Sequence, residues 1–172
     1  EYSRYQQRAG LNRLYVNASL HPYLGRKYRL RLSKAAQWSL VLRSGTFHLS
    51  GPDTGNASAI HRVFHDWYIS RAKTVFAEQL DRAIARFGSQ TVAPTRVAVR
   101  KMERRWGSMT PGGRLILNPR LIEHAKPSIE YVITHELAHR LVPDHSARFW
   151  SVLKKAMPDW QARKDLLEQR VQ

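Results

Sequence analysis

The stretch Ser128-Ile129-Glu130-Tyr131-Val132-Ile133-Thr134-His135-Glu136-Leu137-Ala138-His139 carries the decisive pattern, and His145 follows six residues beyond its second histidine. Its apolar run reads as a buried helix that Pro127 or Ser128 starts and Pro143 closes. On a helix, residues four apart share a face, with Cβ atoms roughly 5–6 Å apart. Two imidazoles so placed can hold one zinc ion, while the Glu136 carboxylate reaches a zinc-bound water as general base. His145 would be the third protein ligand and leave a fourth position open, as in catalytic rather than structural zinc sites.

Composition narrows what surrounds this helix. A chain of 172 residues that is 42% hydrophobic and holds 5 Trp is long and apolar enough for a folded domain with its own core. With no cysteine in the chain, disulfides and thiolate ligands are excluded, so any metal must be held by His, Asp or Glu. No apolar run approaches the ~18–20 residues needed to span a bilayer. The expected location is cytoplasmic, although the chain begins at Glu1 and leaves room for a preceding targeting segment. The net charge of +16 is uneven: residues 127–172 carry 7 basic and 6 acidic side chains, against 22 and 7 in the rest. A basic field of this size attracts polyanions, so nucleic acid is a possible partner beside a peptide or protein substrate.

Working outward, Lys27-Tyr28-Arg29-Leu30-Arg31-Leu32 alternates strictly and predicts a strand with three cations on one face. Trp38–Leu42 and Thr46–Leu49 predict a hairpin across Arg43-Ser44-Gly45, so the N-terminal third reads as a β-meander. Ile60 to Phe87 recur at helical spacing and predict a helix of about 25 residues, or two abutting ones, stopped by Gly88. His61 and His65 stand four apart within it, but no third histidine or acid lies at ligand spacing, so they read as surface or packing residues. Val97–Val99, Arg104–Ser108 and Arg114–Asn118 follow as strands, with a turn at Thr110–Gly113. Leu121-Ile122 predicts a short helical turn, and two short helices follow Pro143. Residues 1–19 read as an extension and 20–172 as one domain.

Three neutral histidines would leave the zinc its full charge, which lowers the pKa of a bound water toward ~7. Glu136 would take a proton from that water and pass it to the leaving group. Arg105, Asn118 and Tyr131 are candidates for a helper donor. Metzincin proteases share the gap between second and third histidines, with a glycine midway. Here that position is Val142, followed by Pro143, so the turn must be built differently.

Arg105-Trp106-Gly107-Ser108, Leu115-Ile116-Leu117-Asn118, Tyr131 to His139 and His145-Ser146-Ala147-Arg148-Phe149-Trp150 together closely resemble the YgjP-like metal-dependent hydrolases. These are zincin-type proteins related to the SprT and Spartan proteases. Leu24-Gly25 with Tyr28, and Met157-Pro158-Asp159, look like further family features. The resemblance covers most of residues 20–165. The chain departs from the family pattern at Met109 and Pro119, neither of which is a ligand.

The resemblance implies an α+β, zincin-like fold in which a small antiparallel sheet packs against the metal-site helix. It maps the zinc ligands onto His135, His139 and His145 and the base onto Glu136. It also puts the Arg114–Asn118 strand at the cleft edge, where pairing with an extended substrate would give Leu117 and Asn118 substrate contacts. A zinc metallopeptidase is the leading expectation, with a DNA-stimulated protease as a variant of it. The alternatives are a zinc hydrolase of a non-peptide substrate, such as a nucleotide phosphoanhydride, and a polyanion-binding module with a structural metal. Basic residues lining the cleft would favour phosphates; a neutral groove beside a free edge strand would favour peptides.

Overall fold

The computed structural model describes residues 14–169, and the fold is α+β, with two small sheets and four α-helices among those residues. Residues 1–13 of the expected extension lie outside the described residues. Residues 17–19 run alongside the first sheet: the Ala18 N–H donates to the Leu30 carbonyl and the Leu30 N–H to that of Ser19.

Strict alternation is realised in β2 (Arg26–Lys34), where Leu30 is buried while Arg29 and Arg31 are exposed. β1 (Leu20–Tyr23) joins it through Leu24-Gly25, and β3 (Ser39–Arg43) joins β4 (Thr46–Gly51) through Ser44-Gly45. All four turn residues have positive φ, from 47° to 82°, the two-residue geometry that matches strand twist. The expected meander is corrected here. The strand order is β1-β2-β4-β3, with β2 and β4 parallel, so each hairpin sets its longer strand at the centre. Leu30 and Leu32 thereby pair beside Phe47 and Leu49 over the core, and Lys27, Arg29, Arg31 and Arg43 stand on the opposite face.

That core face packs on α1 (Ala57–Phe87), one unbroken helix of 31 residues. The Phe47 ring lies 5.4 Å from that of Phe64 and 5.1 Å from that of Trp67. Asn56 caps the helix start through the Ala59 N–H, and Gly88 ends it in the left-handed region at φ 63°. His61 stacks with His65 and lies edge-on to Tyr15, and neither belongs to a metal-ligating group among the described residues. No helix there is long and apolar enough to cross a membrane.

α1 packs on α2 (Lys126–Ala138), whose residues from Ser128 onward are all buried. The tip of the first hairpin is pinned near its start, where the Gly25 N–H donates to the Glu123 carbonyl at 2.8 Å. A Cβ on Gly25 would come within 2.9 Å of the Ala125 Cβ, so the approach needs glycine. Glu130 ties three helices together. Its carboxylate accepts from Arg86 on α1 and from Arg163 on α4 (Trp160–Glu168), each at 2.6 Å. Burial works to raise the Glu130 pKa, but the two guanidinium hydrogen bonds outweigh it and hold the carboxyl below its ordinary value of 4.5.

A lowered carboxylate contributes stability above its unfolded value and loses it as pH falls through the folded value. Glu130→Gln, which breaks both ion pairs, is therefore expected to cost about 3 kcal/mol at pH 7, the low end for a broken buried pair because the two arginines are partly exposed. Urea melts of variant and wild type should converge below pH 4.5. A cost independent of pH would locate the effect in packing.

The second sheet comprises β5 (Arg96–Val99), β6 (Gly107–Met109) and β7 (Arg114–Leu117), in the order β5-β7-β6. It is mixed rather than wholly antiparallel, since β5 runs parallel to β7. The expected edge strand is also corrected: β7 is central and β6 is the edge beside α2. Leu115, Ile116 and Leu117 are all buried, and a continuous apolar run belongs in a strand covered on both faces. After β7 a short 3-10 turn (Pro119–Glu123) leads into α2, and α3 (Ala147–Ala156) precedes α4.

Candidate metal centre

His135 projects from the last turn of α2 and His139 from the residue that caps it, and the following turn returns His145 to the same point. Val142 and Pro143 do not prevent this. The Leu141 and Val142 N–H groups donate to the Ala138 carbonyl, and His139 Nδ1 lies 3.1 Å from the Val142 carbonyl oxygen. That bond assigns the ring proton to Nδ1 and leaves the His139 Nε2 lone pair for a cation. The Ser146 N–H donates to Asp144 Oδ1, and Trp150 Nε1 donates to the His145 carbonyl at 3.1 Å, fixing the ends of the loop.

The donor atoms of the three histidines lie within 4.8 Å of one another, and His135 Nε2 and His145 Nε2 are 3.0 Å apart. Bonds of ~2.0–2.1 Å to tetrahedral zinc imply nitrogen pairs about 3.3 Å apart, inside this range, so the donor set fits such an ion. Burial falls from His135 through the half-buried His139 to the exposed His145, so the centre opens to solvent on one side. Phe149 forms its floor, with ring centroids 4.8, 4.5 and 4.8 Å from those of His135, His139 and His145. Trp150 stacks on His145 and on Trp160.

Electrostatics suit cation binding. Burial, reinforced by the other two histidines, pushes the His135 pKa down to about 3. Burial also lowers His139, partly offset by the Val142 carbonyl. Both rings are neutral at pH 7, the form that offers a lone pair. Glu136 is pushed up to about 7 by burial, against the pull of the Met109 backbone hydrogen bond and the Arg105 charge. β6 passes so close to Glu136 that a Cβ on Gly107 would lie 2.8 Å from its Cγ. Only glycine lets the strand approach without displacing the carboxylate.

A cleft of about 800 Å³ runs along β6 past the three histidines and Glu136. Arg105 lines it; Leu117, Asn118 and Tyr131 do not. Leu117 is buried in the central strand, which removes the expected substrate contact. The buried Asn118 amide donates to the Met102 and Arg105 carbonyls, and its oxygen accepts from the Arg120 N–H. Asn118 thus shapes the loop that presents Arg105. Tyr131 is buried against His135 and Trp160.

Sequence reasoning missed Gly107, the Met109 N–H, Arg104 and Arg140 in the cleft. The Trp-Gly-Ser string marked the first; backbone groups and the path of Arg140 left no local signal.

The profile of a family described as "YgjP-like, metallopeptidase domain" matches residues 1–170. No curated protein sequence matches the chain. A similar solved structure is the metallopeptidase zymogen abylysin of Pyrococcus abyssi, 24% identical, over 54% of this chain and 89% of that one, with a TM-score of 0.47.

Proposed function

Because this chain belongs to the YgjP-like family of metallopeptidase domains, we propose that it is a zinc-dependent peptidase with Glu136 as its general base and His135, His139 and His145 as its metal ligands. The observation that carries this reading is the Glu136 carboxylate, seated under an edge strand beside three converging imidazoles in an open cleft.

A zinc ion held there would polarise the scissile carbonyl and acidify water next to it. The remaining work falls to the chain's own groups. In the β6–β7 register, the Thr110 N–H donates to Arg114 and the Asn118 N–H to Trp106, so Ser108 faces β7. The N–H and carbonyl of Gly107 and the carbonyl of Met109 then point to the outer edge, where an extended peptide can pair. The Met109 N–H holds the Glu136 carboxylate, and burial makes that carboxylate a stronger base than an exposed one. A carboxylate oxygen of Glu136 accepts the proton of the attacking water and delivers it to the departing amine nitrogen. Arg105, beside Glu136, is placed to offset the charge that develops during attack.

The test is mass spectrometry of a diverse peptide pool incubated with zinc-loaded protein, with Glu136→Gln as the blank. Cleavage dependent on Glu136 supports the reading, and its absence with demonstrated zinc loading overturns it. The arginines of the cleft favour a second reading, hydrolysis of a nucleotide phosphoanhydride, which Glu136-dependent phosphate release from nucleoside triphosphates would reveal.

Nucleic-acid contact is a separate proposal that rests on Lys27, Arg29, Arg31 and Arg43 on the outer face of the first sheet. Duplex binding through this face should weaken steeply between 50 and 200 mM salt, and Arg29→Gln with Arg31→Gln should reduce the log–log salt slope by about 2. Binding indifferent to salt, or to these substitutions, would remove the face from the account.

A further inference from the structure

We infer that the cleft selects peptides with acidic side chains flanking the scissile bond, through Arg140 at one end of β6 and Arg104-Arg105 at the other. This rests on the peptidase reading and specifies its substrate class. Arg104 and Arg105 precede β6 in the chain, with Trp106 between them and the strand. Arg140 leaves α2 directly after His139 and sends its guanidinium to the turn that follows β6. A Cβ on Gly113 there would lie 2.4 Å from Arg140 Nη1 and 2.9 Å from its Cζ. Gly113, at φ 81°, thus supplies both the turn and the space in which the guanidinium rests.

The two cationic positions are separated by a three-residue strand, about 10 Å at the rise of extended chain. A peptide paired along β6 therefore passes one before the reacting bond and the other after it.

The cleft offers these cations little internal compensation. Among the described residues, Glu136 is the only carboxylate lining the cleft, against three arginines. Neither Arg104 nor Arg140 has an ion pair among the described residues. Arg140 Nε is moreover a buried donor without a hydrogen-bond partner there. The Arg140 side chain nevertheless lines the cleft, and a carboxylate arriving there would be held by a charge-assisted bond to the part of the guanidinium that faces it. Glutamate or aspartate in the substrate supplies that carboxylate; lysine or arginine there would face like charge in a partly enclosed space.

The experiment has two arms. In the first, the cleaved members of the peptide pool are scored for residues on each side of the cut. Asp and Glu should be enriched about fivefold or more, and Lys and Arg depleted. Arg140→Gln should raise KM for an acidic peptide about tenfold with kcat little changed, leave a neutral analogue unaffected, and be partly rescued by Arg140→Lys. The exposed pair Arg62→Gln and Lys73→Gln on α1, which removes the same kind of charge away from the cleft, should change neither peptide.

The second arm measures binding of labelled acidic and amidated peptides to zinc-loaded Glu136→Gln protein, with and without Arg140→Gln. Tighter acidic binding that Arg140→Gln abolishes supports the inference even when no peptide is cut, in which case the peptidase reading alone fails. Cleavage without charge preference, or equal binding of the two peptides, overturns the inference and leaves that reading standing. Loss of acidic preference in the Arg62/Lys73 variant would equally overturn it, since the effect would then come from net charge.

Discussion

Glu136→Gln is expected to lower kcat by about 10²–10⁴-fold, the range supplied by a positioned general base, while bound metal and fold are retained. The amide matches the carboxylate in shape, which matters because β6 leaves no slack: a Cβ on Gly107 would already lie 2.8 Å from the Glu136 Cγ. Its oxygen can still accept the Met109 N–H, so the strand need not move. What the amide lacks is a site for the proton. Losing a base used only after substrate has bound should leave KM nearly unchanged. Metal analysis, a thermal melt and single-turnover kinetics on one preparation check all three statements. Retained turnover would exclude Glu136 as the base, and lost metal would make it a structural partner of the centre instead.

The parts of this site that were legible in the sequence are those written within one turn or one strand. Four-residue spacing put His135 and His139 on one helical face, and the alternation of β2 separated Leu30 from Arg29 and Arg31. Gly88 marked the end of α1, and Ser44-Gly45 the tight turn of a hairpin. Period and punctuation report how a segment folds on itself, and in each of these cases that was enough.

Pairing partners were not legible, because they are chosen by distant segments competing for burial. The alternation of β2 is equally compatible with β3 or β4 beside it. Parallel pairing with β4 followed only once Phe47 and Leu49 had to cover α1 together with Leu30. The same reason misplaced β7. Its unbroken Leu-Ile-Leu run was itself the sign of a central strand, while Gly107-Ser108-Met109, poor in apolar bulk, suited the edge. Gly107 carries a further lesson: its importance lies in an absent side chain, visible only when Glu136 arrives from a different element.

His139→Ala should abolish metal binding and, with it, the stabilisation that binding supplies. His139 does three things at once: it offers a ligand atom, stacks on Phe149 at 4.5 Å, and bonds the Val142 carbonyl in the turn that returns His145. At a free metal concentration 1,000 times Kd, linkage adds about 4 kcal/mol to the folded state. For a chain of this size that corresponds to roughly 8–16 °C in Tm. Chelation should therefore lower the wild-type Tm by that order and leave His139→Ala unmoved, because the variant has no metal to lose. His145→Ala separates the two contributions. Its ring is the more exposed and makes no turn bond, so the variant should lose metal as His139→Ala does yet melt closer to chelated wild type than His139→Ala, which also loses the bond to Val142. A wild-type Tm indifferent to chelation, with His139→Ala still destabilised, would make His139 a packing residue and remove the metal from the account of this cleft.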